Sequence, residues 1–176
     1  MPNWIIEFVI IPIITGLFTS LLFLSLLSRI RPQIEISENI ARVKSKKYPG
    51  KHAYVIKVVN KSKRAAIDVQ ARFAYVKDKI VPDGTIKRIT DFKLEKDTQF
   101  EIPGFDKNEP DASNFRFLTY DDIEEQWDNG KAFMLFVLYA KDSFTGFGKV
   151  VSRRYYLKRV NLKDGTFKIG PSADIV

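Results

Sequence analysis

The chain is poorly supplied with groups that could make or break a covalent bond. It has one histidine, His52, and no cysteine. No serine stands in a nucleophile-elbow pattern, so hydrolysis through a serine or cysteine lacks either its base or its nucleophile. His52 opens an apolar run and reads as a structural residue. Asp121, Asp122, Glu124 and Glu125 could in principle hold a divalent cation through carboxylate oxygens. The same four acids crowd the start of a helical stretch, where the helix dipole favours negative charge, and that reading needs no metal. Gly146 and Gly148 lie in a turn with no helix behind it, so they form no phosphate loop. Asn60-Lys61-Ser62 matches the glycan acceptor triplet but also reads as a strand-end turn, silent on a cytoplasmic domain. A non-enzymatic protein without a cofactor is expected.

Cations are more plentiful: Lys and Arg number 29 against 21 Asp and Glu, a formal charge of +8. Lys44, Lys46, Lys47 and Lys51 share one loop, Lys61, Lys63 and Arg64 a second, and Arg153 and Arg154 stand together further on. Flexible lysines can neutralise phosphate, either of lipid headgroups or of a nucleotide, although only an arginine fork would fix its geometry. Solvated loops are the alternative reading. Aromatic residues do not alternate with these cations as a base-stacking platform requires, so specific nucleic-acid binding is not expected.

The elements that must position these residues begin with the run from Phe8 to Ser28, which carries no charge. As a helix it covers about 32 Å, close to the hydrocarbon thickness of a bilayer. A cleavable signal would have a basic start and a shorter apolar core, so the segment is expected to remain and to cross the membrane once. Arg29 and Arg31 follow it while Glu7 precedes it. The positive-inside bias then leaves the N-terminus outside and residues 32–176 in the cytoplasm, with residues 1–31 as span and outer tail. Trp4, Arg29 and Arg31 fit interface anchors. Thr15, Gly16, Thr19 and Ser20 bring small and hydroxyl side chains together, with Gly16 and Ser20 at a spacing that lets two helices approach. Glu7, about one turn into the apolar segment, could join an inter-helix hydrogen bond. Hydroxyls bonded back to their own helix, in a plain anchor, are the alternative.

Beyond Pro32 the pattern is strand-like. Residues 34–43 carry a slip near Ser37 to Asn39. Residues 52–60 and 66–76 read as a hairpin turned by Asn60 to Ala65, with Ile67, Val69, Ala71, Phe73 and Tyr75 inward. Val81 to Thr85 is a turn before a strand over 86–94, residues 99–105 add a short strand, and 106–114 a loop. Thr119 and Asp122 suggest a capping box for a helix that Gly130 ends. Residues 131–142 are nearly continuously apolar and predict a central strand covered on both faces, followed by a turn, a strand over 149–157 and a last one over 165–170. The expected class is all-β: an immunoglobulin-like antiparallel β-sandwich with one short helix, preceded by a single N-terminal transmembrane helix.

Residues 55–76, together with the run from Tyr120 to Gly170 that includes Thr145, Gly146, Tyr155, Gly165 and Phe167, resemble the cytoplasmic domain of inward-rectifier potassium channels. The resemblance implies the sandwich fold and a tendency to assemble side by side. It does not extend to a pore, because the chain has neither a second span nor a Thr-Val-Gly-Tyr-Gly filter. No lipid- or nucleotide-binding residue is carried over, since Arg153 and Arg154 fall on no matching motif.

The expected function is a single-pass sensor or effector in the inner (cell) membrane. Its cytosolic domain binds a nucleotide, lipid or protein and controls association of the spans in a homo-oligomer. In architecture alone this resembles the membrane-disrupting effectors of bacterial antiviral defence. The alternative is a membrane-tethered adaptor docking proteins along a strand edge.

Overall fold

A computed structural model describes residues 5–127 and 132–176. The apolar N-terminal run forms a π-helical turn, Ile6–Ile10, continuous with the helix α1 (Ile11–Arg29). Pro12 lies in the first turn of α1, where its missing N–H is tolerated. Ile13, Ile14, Leu17, Leu22, Phe23 and Leu24 are all exposed, and at 3.6 residues per turn they point to every side. A helix lying on a membrane surface would have a charged face; this one has none. The stretch Glu7–Leu27, 21 residues, is long and apolar enough to cross a bilayer.

Among the described residues ten strands follow: β1 (Ile34–Ile36), β2 (Ile40–Lys44), β3 (His52–Asn60), β4 (Ala66–Val81), β5 (Gly84–Phe92), β6 (Thr98–Ile102), β7 (Asn114–Thr119), β8 (Ala132–Asp142), β9 (Gly148–Tyr155) and β10 (Leu162–Asp164). Two four-residue helices, α2 (Ile123–Gln126) and α3 (Lys158–Asn161), interrupt them. The strands make two five-stranded sheets. In the first, β1 and β2 pair end to end along one edge of β3 and β7 takes the other, while β10 lies parallel outside β2. In the second, β5 and β6 share one edge of β4, β8 takes the other, and β9 closes the far side. All pairings except β2 with β10 are antiparallel.

The sheets enclose one core, to which Ile36, Ile56 and Phe117 contribute from the first and Phe73, Met134 and Phe136 from the second. The Phe136 ring lies 5.6 Å from Phe117 and 6.4 Å from Phe73, which ties the layers together through aromatic contacts. Tyr155, fully buried on β9, donates its hydroxyl to the Ser37 carbonyl at 2.9 Å. Ser37 lies in the slip between β1 and β2, so the interruption expected there serves as a bond between the sheets.

Several expectations are corrected. Residues 52–60 and 66–76 form no hairpin: β3 belongs to one sheet and β4 to the other. Asn60, fully buried, holds the crossing by donating to the carbonyls of Arg64 (2.8 Å), Pro103 (3.1 Å) and Ile102 (3.2 Å) and accepting from the Ser62 amide. The same bonds occupy the side chain of the glycan triplet. The hairpin of this region joins β4 to β5, with Val81 opposite Gly84. Ile67 is only half-buried, because Asp68 takes a left-handed conformation (φ 51°) at a bulge and Ala66 fills the core position instead.

Residues 114–119 are β7, although Asn114 is expected in a loop, Thr119 at a helix start, and 115–117 in no element. Thr119 ends that strand opposite Tyr54, so the capping residue is Asp122, whose carboxylate accepts from the amides of Glu124 (3.0 Å) and Glu125 (3.3 Å). Gly130 lies outside the described residues. β8 is central, as expected, but it is not covered on both faces: one face is buried, while Phe133, Leu135, Val137 and Tyr139 are only half-covered on the other. The final strand is β10; residues 165–170 form no strand, and the segment 166–176 has a single isolated bridge, between Phe167 and Ile175.

Candidate functional site

The strand β3 is buried on both faces from Ala53 to Asn60. Tyr54, Ile56 and Val58 face the core between the sheets. Ala53, Val55, Lys57 and Val59 therefore face outward, and another part of the chain must cover them. Register places Ala41 and Val43 of β2 and Arg116 and Leu118 of β7 on that same outer face.

The cover is the C-terminal segment, and Lys57 holds it. Its ammonium donates to the carbonyls of Gly170 (2.5 Å), Lys168 (2.7 Å) and Ser172 (2.7 Å), and the residue is fully buried. Burial, with the nearby Arg116 charge, pulls the lysine below its ordinary range. Arg116 donates to the Phe167 carbonyl at 3.0 Å and Lys61 to that of Pro171 at 3.1 Å. The segment closes on itself through bonds between Thr166 and Val176 and from the Lys168 amide to Asp174.

This cover reaches only part of the outer face. Over the rest lies a cavity of about 500 Å³, with Ala41, Val43, Ala53, Val55 and Leu118 among its lining and Phe167 beside them. Lys44, Ser45, Lys46, Lys47, Arg116, Tyr120 and Thr166 complete it. An apolar floor with cations around it suits a ligand that has an apolar or aromatic body and an anionic group, and the volume is that of a small-molecule site.

The rim is partly fixed. Lys47 donates to Glu95 at 2.7 Å, and this bond raises its pKa. The Lys47 ammonium also lies 5.6 Å from the Tyr120 ring and 5.7 Å from Tyr48. The two tyrosines meet edge to face at 4.9 Å. Lys44 and Lys46 are exposed and have no ion pair among the described residues, so their charges are available to an anion.

The other candidate cations are elsewhere. From His52, opposite Lys44, to Asn60 there are eight strand steps, or about 26 Å. The cluster Lys61, Lys63 and Arg64 therefore lies at the opposite end of the domain. Lys61 pairs with Glu35 at 3.3 Å, and Arg64 donates to the fully buried Asp142 at 2.9 Å. Arg153 donates to Glu38 at 2.9 Å, while the Arg154 guanidinium lies 5.2 Å from the Phe133 ring. As neighbours on one strand they point to opposite faces and form no joint site.

The acidic cluster is internally engaged. Glu124 accepts from Arg42 at 2.9 Å, Lys158 at 2.9 Å and Tyr54 at 3.0 Å. Burial alone would raise the Glu124 carboxyl, but these three donors outweigh it and hold the pKa at about 2. Asp121 accepts from the Lys93 amide at 2.6 Å. No group of three or more His, Asp or Glu residues placed to hold a metal occurs among the described residues.

In α1, the Thr19 hydroxyl donates to the Thr15 carbonyl at 2.8 Å. Glu7, Thr15, Gly16, Thr19 and Ser20 are exposed, and a Cβ added at Gly16 would meet nothing within 4 Å. Trp4 and the Arg29 side chain lie outside the described residues; Arg31 is exposed.

The sequence did not mark the cavity floor, Arg116 or Lys57, and it marked Phe167 only within the channel resemblance, not as part of a site. The signal available was the run of β3 from Ala53 to Val59, apolar except for Lys57, which predicts cover on both faces without saying which segment provides it.

No family model matches the chain, and no curated protein matches it. Among solved structures, the sporulation control protein Spo0M from Bacillus subtilis is similar with a TM-score of 0.42 and 11% identity, over 72% of this chain and 49% of that one. The chain thus spans about half the length of the Spo0M structure. The Northeast Structural Genomics Consortium target SoR45 gives a TM-score of 0.30 and 13% identity, over 73% of this chain and 88% of that one. Neither likeness bears on function.

Proposed function

We propose that the chain is a non-enzymatic, single-pass membrane sensor whose β domain binds an anionic ligand in the cavity over β2, β3 and β7 and thereby controls association of the membrane helices. The observation that carries this reading is the combination of an apolar floor with Lys44 and Lys46, exposed and without an ion pair among the described residues. A stiff joint supports the coupling. After α1 ends at Arg29, the Ile30 carbonyl accepts from the Thr145 hydroxyl at 3.1 Å, Pro32 is buried, and the Gln33 carbonyl accepts from the Lys61 amide at 2.8 Å. A rotation of the domain would then be passed to the helix.

The two facing sheets support an immunoglobulin-like arrangement, and Arg29 and Arg31 support placing it in the cytoplasm. In the effector form of the proposal, assembled helices breach the membrane.

The test is the mass of the full chain in detergent with and without cyclic nucleotides, whose phosphate and flat base match the cavity's chemistry. The expected result is a larger assembly on addition, lost in the Lys44→Glu, Lys46→Glu double variant and in Gly16→Leu. A mass unchanged by the ligand refutes nucleotide sensing, and one unchanged by Gly16→Leu refutes helix association through that face.

A second reading, the adaptor, rests on β4 and β5. Beyond Lys77, which pairs with Ala132, the two strands pair only with each other among the described residues and carry the exposed Ile80 and Ile86. Such an arm could present an edge to a protein partner. Replacing α1 by polyleucine separates the readings: an adaptor keeps its function, whereas a sensor loses it.

A further inference from the structure

The turn between β8 and β9 has a feature that the cavity does not explain. Phe144 is 75% exposed at its tip, yet the turn is tightly built. The buried Asp142 carboxylate accepts from the amides of Phe144 and Thr145, both at 3.0 Å, and from Arg64 at 2.9 Å. The Ser143 amide donates to the Ala65 carbonyl at 3.1 Å, which fastens the turn to the basic corner between β3 and β4. A large ring on a rigid support is not the product of a loose loop.

We propose that this turn and corner form a membrane-docking face, with Phe144 inserted in the headgroup layer and Lys63 against anionic phospholipid. The inference rests on α1 spanning the bilayer. The apolar stretch ends at Leu27, so Ile30 lies about 5 Å further along the axis. The headgroup layer of one leaflet is about 5–7 Å deep. Thr145, bonded to the Ile30 carbonyl at 3.1 Å, is therefore held at headgroup level. Phe144 is its chain neighbour, about 4 Å away between Cα atoms.

Phe is among the side chains that membrane-surface segments bury at the boundary between headgroups and acyl chains. The charge is complementary: Arg31 follows directly, Lys63 is exposed with no ion pair among the described residues, and Arg64 keeps donors free beyond its single bond to Asp142. The cations around the cavity, about 26 Å away along β3, lie too far off to share this surface.

The test uses the full chain in vesicles of phosphatidylcholine with or without phosphatidylserine. The chain has no cysteine, so Phe144→Cys carries a single environment-sensitive fluorophore, and Ile80→Cys on the distant arm serves as control. The expected result is blue-shifted emission at position 144 and strong quenching by headgroup-region nitroxide lipids, with neither at position 80. Lys63→Glu should reduce the part of that quenching that depends on phosphatidylserine. Equal quenching at 144 and 80 in a chain that resists alkaline extraction overturns the docking face alone. A chain that alkali extracts overturns the spanning reading and this inference with it.

Discussion

Replacing Lys57 by methionine is the sharpest test of how the outer face of the first sheet is covered. The side chains are of similar length, so packing along β3 is kept while the ammonium is lost. Three carbonyls, those of Lys168, Gly170 and Ser172, then face a methyl group instead of a cation. Each hydrogen bond to a charged group contributes about 1.5–3 kcal/mol. Three give roughly 5–9 kcal/mol, from which the cost of burying an ammonium, several kcal/mol, must be subtracted. The net loss expected for Lys57→Met is about 2–4 kcal/mol. Urea unfolding of the full chain in detergent, followed through the fluorescence of the buried Trp127, should show a lower midpoint. Hydrogen exchange should locate the damage: the amides of Thr166, Lys168 and Val176, all bonded within the C-terminal segment, should lose protection before those of β4 and β8. A variant as stable as the parent, with those amides still protected, would refute the claim that Lys57 fastens the segment. That outcome would mean the segment is held by Phe167 packing instead.

Two further outcomes follow from the same geometry. Glu124 titrates at about 2 in the fold against an ordinary 4.5. A depressed acid contributes stability that is complete above pH ~4.5 and lost as pH falls towards 2, here on the order of 1–3 kcal/mol; Glu124→Gln should flatten that part of a stability–pH curve, and an unchanged slope would count against the cluster. Asn60→Ala removes the donors to three carbonyls at the crossing between sheets and should cost about 2–4 kcal/mol, read as a lower melting temperature; a change below about 1 kcal/mol would show that the crossing is held by other contacts.

What could be read from the order of residues was whatever depends on local pattern. The uncharged run from Phe8 to Ser28 is enough for a spanning-length helix, because helix rise converts residue count directly to length. Alternation and turn residues placed most strands, and the polar slip at Ser37 to Asn39 was legible because it interrupts an alternating stretch. Asn114–Thr119 also alternates, but the adjacent acids looked like a helix start and drew that assignment forward by several residues.

What the order of residues could not decide was which strand pairs with which. The stretch Asn60 to Ala65 has the composition of a hairpin turn. Only the buried Asn60 amide, satisfied by carbonyls more than forty residues away at Ile102 and Pro103, makes it a crossing between sheets. Likewise Lys44, Lys46 and Lys47 looked equivalent to Lys61, Lys63 and Arg64 as loop cations. Tertiary structure separates them to opposite ends of β3 and puts the first group beside an apolar floor left bare by the C-terminal segment. Periodicity fixes which way a side chain points, whereas a site depends on contacts between segments far apart in the chain, and those form only when the sheets close on each other.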